Sequence, residues 1–493
     1  MARRYLFGPV NAAFADQNLH RARRVGECLA FDAAGTSDMA IGPRDTWDAV
    51  RSRLPSGWEP GFVVLFLPYA SIPSCLWSAP VPLVGLAADW NLLWHGYRHR
   101  LACCDLALTD AAGVEVMARA DINHAITANL FGCERAFLER DFTGSRRDID
   151  VLFVGNLNPA VQRERLPWLA RLAGLSEHRK VVIGTGIFGE AYRELLARAR
   201  IVFNRSVRGE ANQRAFEAAA GGALLFQEEG NRETPVYFRP NQECVYYNAD
   251  NLEALLEYYL DHEDERRALA EAARCRVQHF SFADLWERAL DGIEQAWPSL
   301  VERSAERARL SKHNELLTRT WETLASGPTA VPSLVRDLAE ALVERPDNAD
   351  WHNALGVVQS LGNPDPRQTL GYLQRALHHE PRHIMAGLNL VEALARAQQP
   401  AEAVALAQRL LAGLREPVEI PSGVWDSAHF PAAFDEFRVE WERAGWSHVG
   451  EPAAEVRAKI ALVRWRLHLV LAELTGQLSH YYEATLARPD LAI

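Results

Sequence analysis

The chain has 493 residues, of which 48% are hydrophobic and 24% charged, with a formal net charge of −11. That balance fits a folded chain of about three domains and excludes a disordered one. An acidic chain lacks the basic face that general nucleic-acid binding needs, and no run of 18 apolar residues offers a membrane-spanning helix. Only Lys180, Lys312 and Lys459 are lysines, so phosphate recognition would fall to arginine forks or backbone N–H groups. Seven scattered cysteines without a CxxC pair read as reduced thiols, not as a disulfide framework or zinc site. The N-terminus reaches Gly8-Pro9 without a signal-peptide core, so a cytoplasmic protein is expected.

Short apolar runs predict strands at 5–7, 61–67, 82–87, 106–109, 150–155, 181–184, 201–204, 223–226 and 244–247. Amphipathic stretches between them predict helices, hence doubly wound parallel sheets. Nine strands are better housed in two sheets, with the break in the polar segment DFTGSRRDID at 141–150. After about Trp297 the pattern turns all-helical. The string NADWHNALGVVQSLG…LGYLQRALHHEP resembles one tetratricopeptide repeat, carried by Leu355-Gly356, Ala376-Leu377 and Pro381. A second copy, AGLNLVEALARAQQPAEAVALAQRLL, lacks the Leu-Gly step, and VRDLAEALVERP looks like half of an earlier one. The tail after Pro417, with Trp425, Trp441, Trp446 and Trp465, reads as helices capping the repeats. The expected domains are 1–147 and 148–297 (both α/β), 298–416 (repeats) and 417–493 (helical cap).

The segment ARIVFNRSVRGEANQRAFEAAAGGALLFQ, 199–227, carries the most chemistry. A strand ends at Asn204, and a polar loop follows with Arg205, Ser206, Arg208, Gly209 and Glu210. A helix then starts near Asn212 and stops at Gly221-Gly222. Loops at the carboxyl ends of strands are where open α/β sheets bind ligands, and a helix N-terminus favours phosphate oxygens. Arg205, Arg208 and Arg214 would add charge. Arg214 and Glu217 share a helix face, and the plainer reading is an ion pair worth about 0.3 kcal/mol.

Other signals are weaker. Gly184-Thr185-Gly186-Ile187-Phe188-Gly189 fits the dinucleotide fingerprint, but the next strand ends in Asn204-Arg205 with no acidic residue, so a nicotinamide cofactor is a minor alternative. Asp148-Ile149-Asp150, beside Arg146-Arg147, reads as a solvated charge run, and the histidines show no metal-ligand spacing, so no metal is expected. Candidate general bases at strand ends are Asp89, His95, Asp110 and His124. Asp89 ranks first because it follows the strand at 82–87; its plainer role is a helix N-cap.

Residues 148–290 resemble the donor-binding domain of GT-B glycosyltransferases, most of all the group related to spore-maturation protein CgeB within the family 4-like enzymes. The likeness rests on DIDVLFVGNLNPAVQRERL, on ARARIVFNRS…NQRAFEAAAGGALLFQE and on ECVYYNADNLEALLEYYLDHEDERRALAEAARCRVQHFSF. It implies two Rossmann-like domains, here followed by the tetratricopeptide-like region, and transfer of a sugar from a nucleotide-sugar donor that is a substrate, with no cofactor. By that resemblance Glu217 would bind the ribose and Arg214 would lie near the diphosphate. Gly155-Asn156 would form the first donor loop, with Arg163 or Arg165 supplying charge. Gly8-Pro9 would face it, and Gly184, Gly186, Asn204, Ser206 and Asn212 would line the cleft. The family's second glutamate, eight positions before Glu217, is here Gly209, with Glu210 one off; that departure bears on sugar grip and on the retaining stereochemistry the family implies. A protein or peptide acceptor recruited by the repeats is the further expectation. A non-catalytic interaction protein with an inactive core is the alternative from another class.

Overall fold

The computed structural model describes residues 3–129, 132–142, 144, 146–326, 331–362, 365–414 and 435–491. Pro417, Trp425 and the expected start of the cap lie outside the described residues, as do Thr143 and Ser145 of the 141–150 segment.

The first half forms a seven-stranded parallel sheet from β1 (Tyr5–Gly8), β2 (Cys28–Asp32), β3 (Met39–Ala40), β4 (Phe62–Phe66), β5 (Leu83–Leu86), β6 (Leu106–Thr109) and β7 (Ala125–Thr127), in the order β3-β2-β1-β4-β5-β6-β7. A five-stranded parallel sheet follows from β8 (Ile149–Val154), β9 (Val181–Gly184), β10 (Ala199–Phe203), β11 (Leu224–Glu228) and β12 (Val245–Tyr247), in the order β12-β11-β10-β8-β9. All nine expected strands are present. The three unforeseen ones are β2, whose run Cys28–Phe31 is apolar and largely buried, and two edge strands that offer little apolar sequence to read, the two-residue β3 and the half-exposed β7. The strand order reverses between β1 and β4 in the first sheet and between β8 and β10 in the second. Ligands of doubly wound sheets bind outside the carboxyl ends of such a pair.

After the second sheet the chain returns to the first. Ser281 and Asp284 form a reciprocal capping box that starts the helix Phe282–Gln295. Phe282, Trp286, Ala289 and Ile293 of that helix share an apolar cluster with Tyr5, Phe7, Phe62 and Val64, and Trp286 Nε1 donates to Tyr5 Oη at 2.8 Å. Segment 282–300 therefore packs on the first sheet, although it follows the second in sequence. Next, Arg307 clamps the amino ends of β5 and β6: it donates to Asp105 (2.6 Å), Ala79 O and Val81 O. Both partners of this ion pair are buried.

Helices Ala349–Gly362 with Pro366–His379, and Ile384–Arg396 with Pro400–Gly413, form two packed pairs. A Cβ on Gly356 would lie 2.9 Å from Leu373, and one on Gly387 would lie 2.8 Å from Leu410. Gly387 thus permits in the second pair the close helix approach that Gly356 permits in the first, without a leucine before it. Helix Ile384–Arg396 is buried on all sides from Ile384 to Leu394. Helix Pro452–Thr475 lies against it, with Arg466 donating to Glu392 at 2.7 Å. Helix Glu436–Ser447 reaches further, touching Trp90–Leu92, Trp94–Leu101 and Pro159–Gln162, so it contacts both α/β units.

Arg307→Ala strands the buried Asp105 carboxylate and is expected to lower unfolding free energy by about 3–5 kcal/mol, read from urea denaturation. A loss below about 1 kcal/mol would contradict the clamp.

Candidate functional site

The floor of the candidate site is the switch point of the second sheet. Arg214 donates from Nε to Val154 O (2.9 Å) and from Nη1 to Asn204 Oδ1 (2.7 Å), and its guanidinium lies 4.5 Å above the Phe153 ring. It thereby ties the end of β8 to the end of β10. A Cβ on Gly155 would collide with Arg214 Nη2, so this glycine makes room for the guanidinium. Arg165 performs the parallel task one layer out. It donates to Arg205 O (3.1 and 2.6 Å) and to Asn156 O (3.2 Å), joining the loops after β8 and β10. Asn204 is buried and paired with Asn212 and Gln227, and Tyr247 Oη donates to its carbonyl at 2.8 Å.

Among the described residues neither Arg165 nor Arg214 has a carboxylate partner: their acceptors are carbonyl and amide oxygens. Burial lowers both pKa values. For Arg165 burial, then the nearby Arg214 charge, brings it down to about 9. Two positive groups, Arg165 buried and Arg214 half-buried, thus repel one another at the place where an open α/β sheet takes its ligand.

Above this floor runs the bend after β10. Ser206 is buried against Glu228 through its N–H (3.1 Å) and its hydroxyl. Gly209 has φ +89°, a conformation that only glycine adopts without strain. Glu210 accepts from the amides of Val207 (3.0 Å) and Arg208 (2.8 Å); its carboxylate thus holds the bend's backbone. Helix Gln213–Ala220 follows from Asn212, whose side chain makes no cap, so first-turn N–H groups stay available to an anion. On this helix Glu217 accepts from Tyr192 Oη at 2.9 Å. Burial, opposed by Tyr192 and Arg214, raises its pKa to about 7.

The facing wall belongs to the first sheet. Tyr69, after β4, and Asp89, after β5, both have positive φ (53° and 51°), and Tyr69 Oη donates to Asp89 Oδ2 at 2.9 Å. Left-handed backbone at two non-glycine residues in contact marks a site where surrounding structure enforces strain. Asp89 precedes the short helix Trp90–Leu92 but makes no side-chain cap, so the N-cap reading does not hold. Its pKa is raised by burial, with Tyr69 and Arg208 opposing. Asp110 caps helix Ala111–Arg119 through Gly113 N (2.7 Å) and accepts from Trp90 Nε1 (3.0 Å). It also pairs with Arg208 Nη2 at 2.6 Å. Arg208 further donates to Asn91 Oδ1 (3.2 Å) and lies over the Trp90 ring. Glu233 bridges the same gap, accepting from Ala111 N (3.2 Å) and Ala211 N (2.8 Å). The bend therefore faces the first sheet, and what spans the crevice there is polar.

The remaining sequence candidates scatter. Gly8 ends β1, where a side chain would collide with Phe31 of β2. Asn156 is exposed and turns the loop by accepting from Asn158 N. Arg205 lies 4.8 Å over the Trp168 ring. Gly184 O accepts from Gly155 N (3.0 Å), and Gly186 (φ +69°) is exposed beyond β9, the edge strand. Arg163 points away from the floor, to Asp490 O (3.1 Å) and Glu440 (3.5 Å) of the C-terminal helices; Arg165 occupies the place foreseen for either. His95 is withdrawn from the crevice. It is buried between Glu442 (Nδ1, 2.8 Å) and Lys459 (Nε2, 2.8 Å) and stacks on Trp321. His124 precedes β7 and bonds Leu101 O, at the amino rather than the carboxyl end of the strands. Asp148 and Asp150 pair with Arg198, Lys180 and Arg200 at the amino end of β8. Tyr69 was not foreseen; a polar aromatic just past a strand end was the available signal.

Residues 135–291 match the family model described as glycosyl transferase-like. The two parallel Rossmann-like sheets with flanking helices, followed by an all-helical region, form a GT-B-like arrangement. Among solved structures, a glycosyltransferase from Rickettsia africae ESF-5 is 10% identical, over 60% of this chain and 99% of its own, with a TM-score of 0.39. HepE from Anabaena, solved in complex with UDP, is 11% identical over 59% of this chain and 100% of its own, with a TM-score of 0.41. TarM is 10% identical over 49% of this chain, with a TM-score of 0.37, and only 54% of its length is covered, so this chain spans about half of it. No curated protein matches the chain in sequence.

Because the folded Glu217 carboxyl titrates near 7 and the unfolded one near 4.5, the parent protein loses stability as pH rises through that window. Glu217→Gln does not. The stability gap favouring the variant should widen by about 1–2 kcal/mol from pH 5 to pH 8, read from thermal melts; a constant gap would contradict it.

Proposed function

We propose that the chain transfers a sugar from a nucleotide-sugar donor to an acceptor hydroxyl. The observation that carries this reading is the pair of guanidinium groups, Arg165 buried and Arg214 half-buried, that have no carboxylate hydrogen-bond partner among the described residues and lie by an uncapped helix start. An anion seated there relieves their mutual repulsion. A diphosphate leaving group gains charge as its bond to the sugar breaks, and preorganised positive charge and backbone N–H groups stabilise that charge where it forms. Glu217, one helical turn on, would accept a hydrogen bond from a ribose hydroxyl. The glycosyl transferase-like match over 135–291 contains every one of these groups.

In transfer the bond from the sugar's anomeric carbon to the diphosphate oxygen breaks, and a bond to the acceptor oxygen forms. The acceptor proton passes to Asp89 if the reaction inverts, or to the leaving phosphate if it retains. Asp89 is the group on the facing wall suited to the first role, since burial raises its proton affinity. No step calls for a metal. The peptide groove expected of the helical pairs is, at helix Ile384–Arg396, covered by the chain's own helix Pro452–Thr475. A cytoplasmic setting belongs to the same proposal, supported by seven free thiols; no helix among the described residues is long and apolar enough to cross a membrane.

Thermal melts with UDP-, GDP- and dTDP-sugars and with NAD test the reading. One nucleotide sugar at about 100 times its Kd should add about 2.7 kcal/mol, and Glu217→Ala should abolish most of that gain. Stabilisation by NAD alone would support the cofactor alternative, and no response to any nucleotide would support a non-catalytic role.

A further inference from the structure

A cavity of about 270 Å3 lies where the two α/β units and the C-terminal helices meet. Its walls come from four places: Asn91 after β5, Arg208 on the bend after β10, Glu164 after β8, and Arg443, Trp446 and Ser447 on helix Glu436–Ser447, with aliphatic side chains between them. Two features point to a ligand. Arg208 uses Nε and Nη2 on Asn91 and Asp110, but Nη1 is buried with no hydrogen-bond partner among the described residues. A buried donor left unmade is costly, and more so on a charged group. The pairs of Arg443 are also loose, at 3.5 Å to Glu440 and 4.0 Å to Glu164, so this guanidinium and the exposed Glu164 carboxylate can turn to a guest.

We infer that this cavity is the acceptor subsite, that it takes a saccharide, and that the C-terminal helix Glu436–Ser447 supplies one of its walls. The inference rests on the transferase reading above. A sugar ring has an apolar C–H face and a rim of hydroxyls. Trp446, half-buried and packed edge-on against Trp90 at 5.3 Å, offers an aromatic surface for the first. The Asn91 amide, the Glu164 carboxylate, the Ser447 hydroxyl and the Arg443 guanidinium offer donors and acceptors for the second. The volume lies just under the roughly 300–1,000 Å3 of drug-sized ligand sites, which suits one or two sugar rings and is too small for a folded peptide. Asn91 is two residues from Asp89, so the cavity lies beside the candidate base. Arg208 is shared between the cavity and the interdomain ion pair with Asp110, so filling one touches the other.

The test uses the full chain and a panel of p-nitrophenyl glycosides (α- and β-glucoside, galactoside and N-acetylglucosaminide), with binding read by equilibrium dialysis. The parent should bind at least one of them. Trp446→Ala and Arg443→Ala should each weaken that binding by about tenfold, while Trp446→Phe keeps most of it. The melting shift with nucleotide sugar should be unchanged in all three variants, which also reports that they fold. Variants that bind the glycoside as the parent does would overturn the inference. So would a parent that responds to nucleotide sugar but binds no glycoside, and that result would leave the donor reading standing. Glycoside binding without any nucleotide response would remove the transferase reading, and with it the acceptor role.

Discussion

Arg214 stands on the second sheet's reversal point, donating to Val154 O on one side and Asn204 Oδ1 on the other. Parallel strands that run to opposite sides of a first strand leave a gap between their loops at the carboxyl end. A half-buried guanidinium in that gap ties its two sides together, and Gly155 is the residue that lets it sit there. The hydrogen-bond acceptors of Arg214 are neutral, Glu217 and Glu228 offset part of its charge, and Arg165 adds a second positive charge beside it. The scaffold thus sets two guanidinium groups side by side where a ligand anion would be favoured. Replacing such groups by apolar ones would often suit folding better, which points to a use in binding.

Much of this was legible in the chain. Continuous apolar runs gave the buried strands, since parallel strands covered on both faces need no polar alternation. The polar bend after Asn204 and the placing of Arg214 and Glu217 on one helix face followed from local sequence and a 3.6-residue period. What failed depended on distant partners. His95 lies nine residues after the end of β5, yet its environment is set by Glu442 and Lys459, more than 340 positions away. Arg163 and Arg165 are two residues apart and looked interchangeable, but one turns to the C-terminal helices and the other to the bend. Gly8, expected by resemblance to face the donor loop, ends β1 against Phe31 of β2, which leaves no room for a side chain there.

The helical region shows the same division. Gly356 with its leucine marked one helix pair, and Gly387, without that leucine, performs the same packing task against Leu410. Local pattern located the pairs. It could not show that helix Pro452–Thr475 would lie against Ile384–Arg396, or that Glu436–Ser447 would be wedged against both α/β units. Those placements come from tertiary burial of Trp441, Trp465 and their neighbours in one apolar cluster. Their effect is to make the helical region part of the crevice wall instead of a separate arm.

The central claim is that the uncapped helix start, the buried Arg165 and the half-buried Arg214 form a diphosphate site in the interdomain crevice. A crystal structure grown with a nucleoside diphosphate tests it most directly. The account predicts phosphate oxygens at the amides of Gln213 and Arg214, with the ribose at Glu217. Nucleotide bound instead beyond β9 at Gly184 and Gly186, or on the outer surface, would contradict it.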